Sequence, residues 1–175
     1  MKMKELFDRG EFVVSAEVGP PKGIHVDELV EEAKTYLKDV HAVNVTDNQS
    51  SVMRLGSLAM CKVLKDAGMN PIFQLACRDR NRISMHSTLL GAHINGIRNL
   101  MIVTGDPVPS GERDNTKSVF DFNSIRFMEY VKELNQEIFL QDAFSYGGAL
   151  NQNQANEDQV MKRMQKKIDA GLSWF

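Results

Sequence analysis

Short apolar, β-rich runs alternate along this chain with longer segments of helical period, and that alternation restricts the fold more than any other feature. Parallel strands need a crossover between them, normally a helix, so strict alternation is the signature of repeated βα units around a parallel sheet. The pattern opens at Phe12–Glu17, a nearly continuous apolar run that ends in a carboxylate and meets the loop Gly19-Pro20-Pro21-Lys22-Gly23. Proline fixes φ and removes a donor, so this segment reads as a strand followed by a rigid loop. The first helix is expected from near His25. Asp27, Glu28, Glu31 and Glu32 suit the positive end of its dipole, and Leu29, Val30, Ala33 and Leu37 form its apolar stripe.

Further units follow. Strand His41–Val45 pairs with helix Ser51–Ala67, which Gly68 terminates, and strand Pro71–Ala76 pairs with helix Ile83–His93. Strand Leu100–Val103 leads through a long Gly/Pro/Asp loop to a helix at Asn123–Leu134. Ile138–Leu140 is expected to begin a fifth strand, with the Gly-, Asn- and Gln-rich Ser145–Ala155 as its loop. Helix Asn156–Ala170 comes next, and Leu172–Phe175 reads as the start of a sixth strand.

Two α/β architectures fit: an open doubly wound sheet and a TIM-type (β/α)8 barrel. No Gly-x-Gly-x-x-Gly follows the first strand, which argues against a dinucleotide-binding doubly wound sheet. Polar residues gather after the expected strands: Glu17, Thr46, Asp47, Arg78, Asp79, Thr104, Asp106, Ser145 and Tyr146. A barrel places such positions on one rim. Barrels of this kind run to about 250 residues, so these 175 residues are expected to form a single partial barrel domain, truncated after about five βα units and the start of a sixth strand. An open parallel edge would then remain, as in a fragment or a chain that needs a partner.

Composition narrows the function classes. Lys+Arg total 21 against 23 Asp+Glu, a net charge of −2, so there is no cationic excess suited to nucleic acid. No apolar run approaches the roughly 20 residues of a membrane span, and Met1–Glu11 lacks the apolar core of a signal peptide, so a cytoplasmic protein without nucleic-acid or membrane partners is expected. Cys61 and Cys77 have neither the number nor the spacing of a disulfide framework or zinc site and read as reduced, buried thiols. His25, His41, His86 and His93 show no metal-ligand spacing, and the ten methionines read as core filling.

Glu17, closing an apolar strand ahead of Pro20-Pro21, is a candidate general acid if partial desolvation raises the proton affinity of its carboxyl; a solvated strand-end Glu is the alternative. Asp106, in Thr104-Gly105-Asp106-Pro107, can accept from a ligand ring or face a cation, or simply start a turn. Arg78 and Arg80 can clamp a phosphate or carboxylate, or pair internally with Asp79 as part of a solvated face.

Taken together, five segments resemble the flavin-dependent methylenetetrahydrofolate reductases: Ala16–Lys22, Val43–Asp47, Gln74–Asn81, Ile97–Pro107 and Lys166–Gly171. The resemblance runs in order along nearly the whole chain. It implies a (β/α)8 barrel with a flavin, normally FAD, on the rim, and reduction of 5,10-methylenetetrahydrofolate to 5-methyltetrahydrofolate with NADH or NADPH as electron donor. By position, Glu17 becomes the general acid that opens the folate ring to an iminium cation, and Asp106 the carboxylate near flavin and pterin. Flavin contacts carry over to Thr46, Gln74, Gly105, Asp106, Phe120, Asp121, Asn151 and Lys167, the last facing a flavin phosphate. Gln74 stands where His is frequent, Thr104 where Arg is, Asn151 where His is, and Val160 where an acidic residue binds the ribose, so FMN stays open beside FAD. The folate-binding Thr-Gln pair of the family would fall after Phe175. The forms of the motifs are closest to a prokaryotic branch, which implies an oligomer or an accessory electron-transfer or methyltransferase partner. The alternatives are a catalytically incomplete, partner-dependent half barrel that binds flavin or another chain without turning over folate, and a barrel acting on another pterin-like or phosphorylated ligand.

Overall fold

The computed structural model describes residues 1–112 and 115–175; Arg113 and Asp114, within the loop expected after the fourth strand, lie outside the described residues. Five parallel strands, β1 (Ser15–Val18), β2 (Ala42–Val45), β3 (Pro71–Ala76), β4 (Asn99–Val103) and β5 (Ser145–Gly148), pair in sequential order. The helices among the described residues are α1 (Met3–Asp8), α2 (Asp27–Tyr36), α3 (Ser57–Asp66), α4 (Arg82–Ile94), α5 (Ser124–Leu134) and α6 (Glu157–Asp169). The strand order never reverses, so the sheet lacks the switch point of a doubly wound fold.

The period-2 alternation of side chains separates the two faces of the sheet. Val18, Val43, Val45, Phe73, Leu75, Leu100, Ile102 and Tyr146 point to one face and pack in a single core with apolar residues of α2 to α5 and with Ala170 and Leu172 just after α6. Each fully buried side chain of this kind contributes roughly 1.5–3 kcal/mol. The opposite face carries Glu17, Asn44, Thr46, Gln74 and Met101. Its N-terminal end is closed by α1, whose Met3 and Leu6 pack on Ala42 and Ile72 in a smaller cluster with Met101 and Trp174 at its margin. Helix α1 is tied down through the backbone: Met3 N donates to Asn99 Oδ1 at 2.7 Å and Lys4 N to Ser145 Oγ at 3.1 Å.

Several expected boundaries are corrected. The first strand starts at Ser15 rather than Phe12, which is 88% exposed. The first long helix starts at Asp27, two residues past His25, whereas α3 starts at Ser57 rather than Ser51. Ile138–Leu140 is no strand: the chain continues from α5 into a wide helical turn over Asn135–Phe139 and a tight one over Leu140–Asp142. The fifth strand is Ser145–Gly148, inside the segment expected to be its loop. In place of a sixth strand, Trp174 makes one parallel bridge with Gly147.

Candidate functional site

The C-terminal ends of β1 to β3 carry the first group of polar residues. Glu17 sits one residue before the end of β1, opposite Asn44 on β2, and its Oε2 accepts from Asn44 Nδ2 at 3.0 Å. Of the two readings of Glu17, the structure shows the solvated strand-end carboxylate: Glu17 is exposed. Asn44 and Thr46 are buried on that same face, and Asn44 Oδ1 and Thr46 Oγ1 have no hydrogen-bond partner among the described residues. Gln74 lies mid-strand on β3 and holds the turn after β2 by accepting from Asp47 N at 2.9 Å.

Behind this row lies a network that the sequence read as a possible ligand clamp. Arg78 is 2% exposed, and its guanidinium is already occupied. Nε and Nη2 donate to Asp79 at 2.6 and 2.7 Å, Nη2 also to the Asn48 carbonyl at 3.1 Å, and Nη1 to the Asp106 carbonyl at 3.3 Å. The Asp79 hydrogen bond raises the Arg78 pKa above the ordinary arginine value, against the effect of burial. Arg80 is likewise turned inward onto the buried Asp47, at 2.5 Å from Oδ2 and 3.2 Å from Oδ1, while Asp47 Oδ2 also accepts from Ala76 N at 3.0 Å. The clamp reading of Arg78 and Arg80 is therefore corrected: both join strand ends to one another. Gly105 packs directly on Arg78 with φ of +87°, and the Asp106 side chain next to it is exposed.

A cleft of about 550 Å³ opens beside this network, between the C-terminal part of β4, the start of α5, the loop after β5 and one side of α6. Ile102, Val103, Ile125, Leu150, Val160 and Met164 make its apolar wall. Its polar lining comes from Thr104, Asn123, Ser124, Asn151 and Gln154, and its charge from Arg163 and Lys167, with no Asp or Glu among the described residues. Thr104 Oγ1 accepts from Ser124 N at 3.1 Å, which fixes the α5 N-terminus and its positive dipole end against β4. Lys167 is buried and donates to the Ala149 carbonyl at 2.5 Å. Burial first, and Arg163 second, hold its ammonium below the ordinary lysine value.

The structure thus groups Thr104, Asn151 and Lys167 around one cleft, and Glu17, Thr46 and Gln74 on one sheet face. Phe120 and Asp121 lie apart from the cleft lining; Phe120 has φ of +49°, and Asp121 Oδ2 accepts from Arg82 N at 2.9 Å at the start of α4. Ser145 and Tyr146 do not join the rim. Ser145 begins β5 at the opposite end, beside α1, and Tyr146 turns to the helix side to donate to the Ala170 carbonyl at 2.8 Å. Sequence reasoning missed Asn44, the partner of Glu17, and Arg163. An amide inside the apolar run Ala42–Val45 was the signal for the first, and spacing four residues before Lys167 on one helix face was the signal for the second.

The family model for methylenetetrahydrofolate reductase matches residues 2–175 of this chain. The chain belongs to that family. No curated protein matches it. As a member of the methylenetetrahydrofolate reductase family the chain is placed among oxidoreductases of one-carbon metabolism that reduce folate and generally use a flavin. Among the described residues no helix is long and apolar enough to cross a membrane.

Proposed function

We propose that residues 1–175 form one partial (β/α)8 barrel domain of a flavin-dependent reductase that converts 5,10-methylenetetrahydrofolate to 5-methyltetrahydrofolate, with NADH or NADPH as electron donor. The observation that carries this reading is the family match across residues 2–175. The sequential parallel order of β1 to β5, with one apolar core joining the sheet to α2–α5 and to Ala170 and Leu172 after α6, supports the barrel.

The residues present fit a flavin nucleotide, FAD or FMN. Among the described residues the cleft combines an apolar wall with two cations, a helix N-terminus and no carboxylate, which suits a planar ring system bearing phosphate. Lys167 and Arg163 would neutralise the phosphate, with Asn151 beside them. Thr46, Gln74, Gly105, Asp106, Phe120 and Asp121 are proposed as further contacts. The unpartnered Thr46 Oγ1 and Asn44 Oδ1 are buried polar atoms of the kind that a ligand hydrogen bond would satisfy. When bound, the flavin supplies the hydride.

Glu17 is proposed to bind folate and to act as the general acid. Asn44 holds Oε2 by donating to it, which leaves Oε1 to face the folate and, when protonated, to donate to the folate nitrogen. Protonation there opens the five-membered ring and leaves an iminium carbon that can accept a hydride. The carboxylate of Asp106 is proposed to face that developing positive charge and stabilise it.

Reconstitution of the purified chain with excess FAD or FMN, followed by desalting, is the first test. Retained flavin absorbance, bleached by NADH or NADPH, is expected; a colourless chain would overturn the cofactor assignment. Glu17→Gln is then expected to abolish folate reduction, by about 100-fold or more, while reduction of the flavin by the pyridine nucleotide survives. Full folate turnover in that variant would refute the acid role.

A further inference from the structure

The loop that follows Glu17 and the loop that carries Asp106 are not neighbours, since β2 and β3 lie between their strands. Four hydrogen bonds nevertheless run in series from one to the other. Arg54 Nη1 donates to the carbonyl of Pro20, in the loop that follows Glu17, at 2.9 Å. The Arg54 backbone N donates to Asn48 Oδ1 at 2.9 Å. The Asn48 carbonyl accepts from Arg78 Nη2 at 3.1 Å, and Arg78 Nη1 donates to the Asp106 carbonyl at 3.3 Å. Asn48 is the midpoint and uses both its side-chain and main-chain oxygens.

Its backbone is matched to that task. Asn48 has φ of +45° and ψ of +50°, in the left-handed region that Asn tolerates better than other residues bearing a Cβ. That conformation turns the chain so that the carbonyl faces Arg78 while Oδ1 faces Arg54. Arg78 transmits position rather than flexing, because two bonds to Asp79 fix the plane of its guanidinium and the residue is buried. On the other flank, Leu55 N donates to the Pro21 carbonyl at 2.9 Å and fastens the same loop a second time.

We propose that Asn48 is a positioning residue that latches the loop behind Glu17 to the loop of Asp106, and so sets the separation of the two carboxylates across the folate. The inference rests on the roles proposed above for Glu17 and Asp106. Its energetic basis is geometric: misplacing a reacting group by about 1 Å can cost on the order of 100-fold in rate.

Asn48→Gly tests it, because Gly keeps the left-handed backbone at no steric cost while it removes the side chain and with it the Oδ1 acceptor. Asn48→Asp restores an acceptor at the same atom. In the full chain loaded with flavin, Asn48→Gly is expected to lower kcat for folate reduction about tenfold or more. Flavin reduction by the pyridine nucleotide should stay within about twofold, and Asn48→Asp should recover most of the loss. Without any turnover, amide exchange at Leu55 and at Val119, which donates to the Arg78 carbonyl at 2.8 Å, should quicken about tenfold in Asn48→Gly. Unchanged exchange at both amides would overturn the latch, as would equal loss of both half-reactions without rescue by Asp. A wild-type chain that binds flavin but reduces no folate would overturn the roles of Glu17 and Asp106, and with them the catalytic purpose of the latch. Wild-type turnover matched by Asn48→Gly would overturn the latch alone.

Discussion

Gly105 shows how closely one backbone position is tied to the rim. With φ of +87°, a side chain there is strained in any rotamer, and an added Cβ would lie 3.0 Å from Arg78 Cβ. Gly105→Ala is expected to cost about 1–2 kcal/mol in a denaturant titration, the order of a left-handed non-glycine residue. It should also weaken flavin retention by displacing the Asp106 loop; unaltered stability and retention would refute the assignment of that contact. Lys167 carries a pH prediction. The folded chain holds its ammonium below the ordinary 10.5, chiefly through burial. Between the lowered value and 10.5 the unfolded chain therefore binds more protons than the folded one, so stability rises with pH across that window. A bound phosphate restores the proton, so flavin binding in the same window should take up protons. Calorimetry in buffers of different ionisation enthalpy measures this, and Lys167→Met should abolish it. These residue-level features were unevenly legible. Lys167 was found by resemblance and the pairing of Arg78 with Asp79 was among the readings of the sequence, whereas the two carbonyl acceptors of Arg78 were not, because they lie some thirty residues away in either direction.

At the scale of elements, helix α1 is the part that local pattern hid most completely. Its six residues offer too few turns for an apolar period, and an isolated helix of that length is unstable in water. Tertiary packing supports it: Leu6 is 1% exposed against the N-terminal end of the sheet. Leu6→Ala is expected to destabilise the chain by about 2–4 kcal/mol, read from the shift in urea midpoint; a change below about 0.5 kcal/mol would show that α1 is dispensable. The fifth strand was misplaced for a related reason. Ile138–Leu140 is short and apolar, a run that strand and buried helix share. There Phe139 is buried by stacking on His93, with ring centroids 4.7 Å apart, and by meeting Phe144 edge-on at 4.9 Å. The true strand, Ser145–Gly148, looks like a loop because it ends in two glycines. The structure needs the first, because a Cβ on Gly147 would lie 2.2 Å from the Trp174 indole, while one on Gly148 would have to displace the flexible end of Met128, whose Cε lies 2.6 Å away.

For the whole molecule, the cleft joins segments far apart in the chain, from Ile102 to Lys167, so a ligand held there links β4 to α6. A flavin that binds only the folded chain should stabilise it by about 2.7 kcal/mol at a concentration 100 times Kd. Thermal melts with and without flavin test this, and an unchanged Tm would show that the folded chain does not bind flavin in preference to the unfolded one, which would overturn the cofactor assignment. The βα alternation, the strand cores at Pro71–Ala76 and Leu100–Val103, and the residues by which the chain resembles its family were all determined by the sequence itself, because periodicity and local motifs are written in contiguous residues. Which face of the sheet stays open, which arginines are spent on carbonyls, and how Asn48 comes to stand between Arg54 and Arg78 were decided only by the tertiary structure. Those arrangements depend on hydrogen-bond partners and burial that arise only when distant segments meet, and no local pattern encodes them.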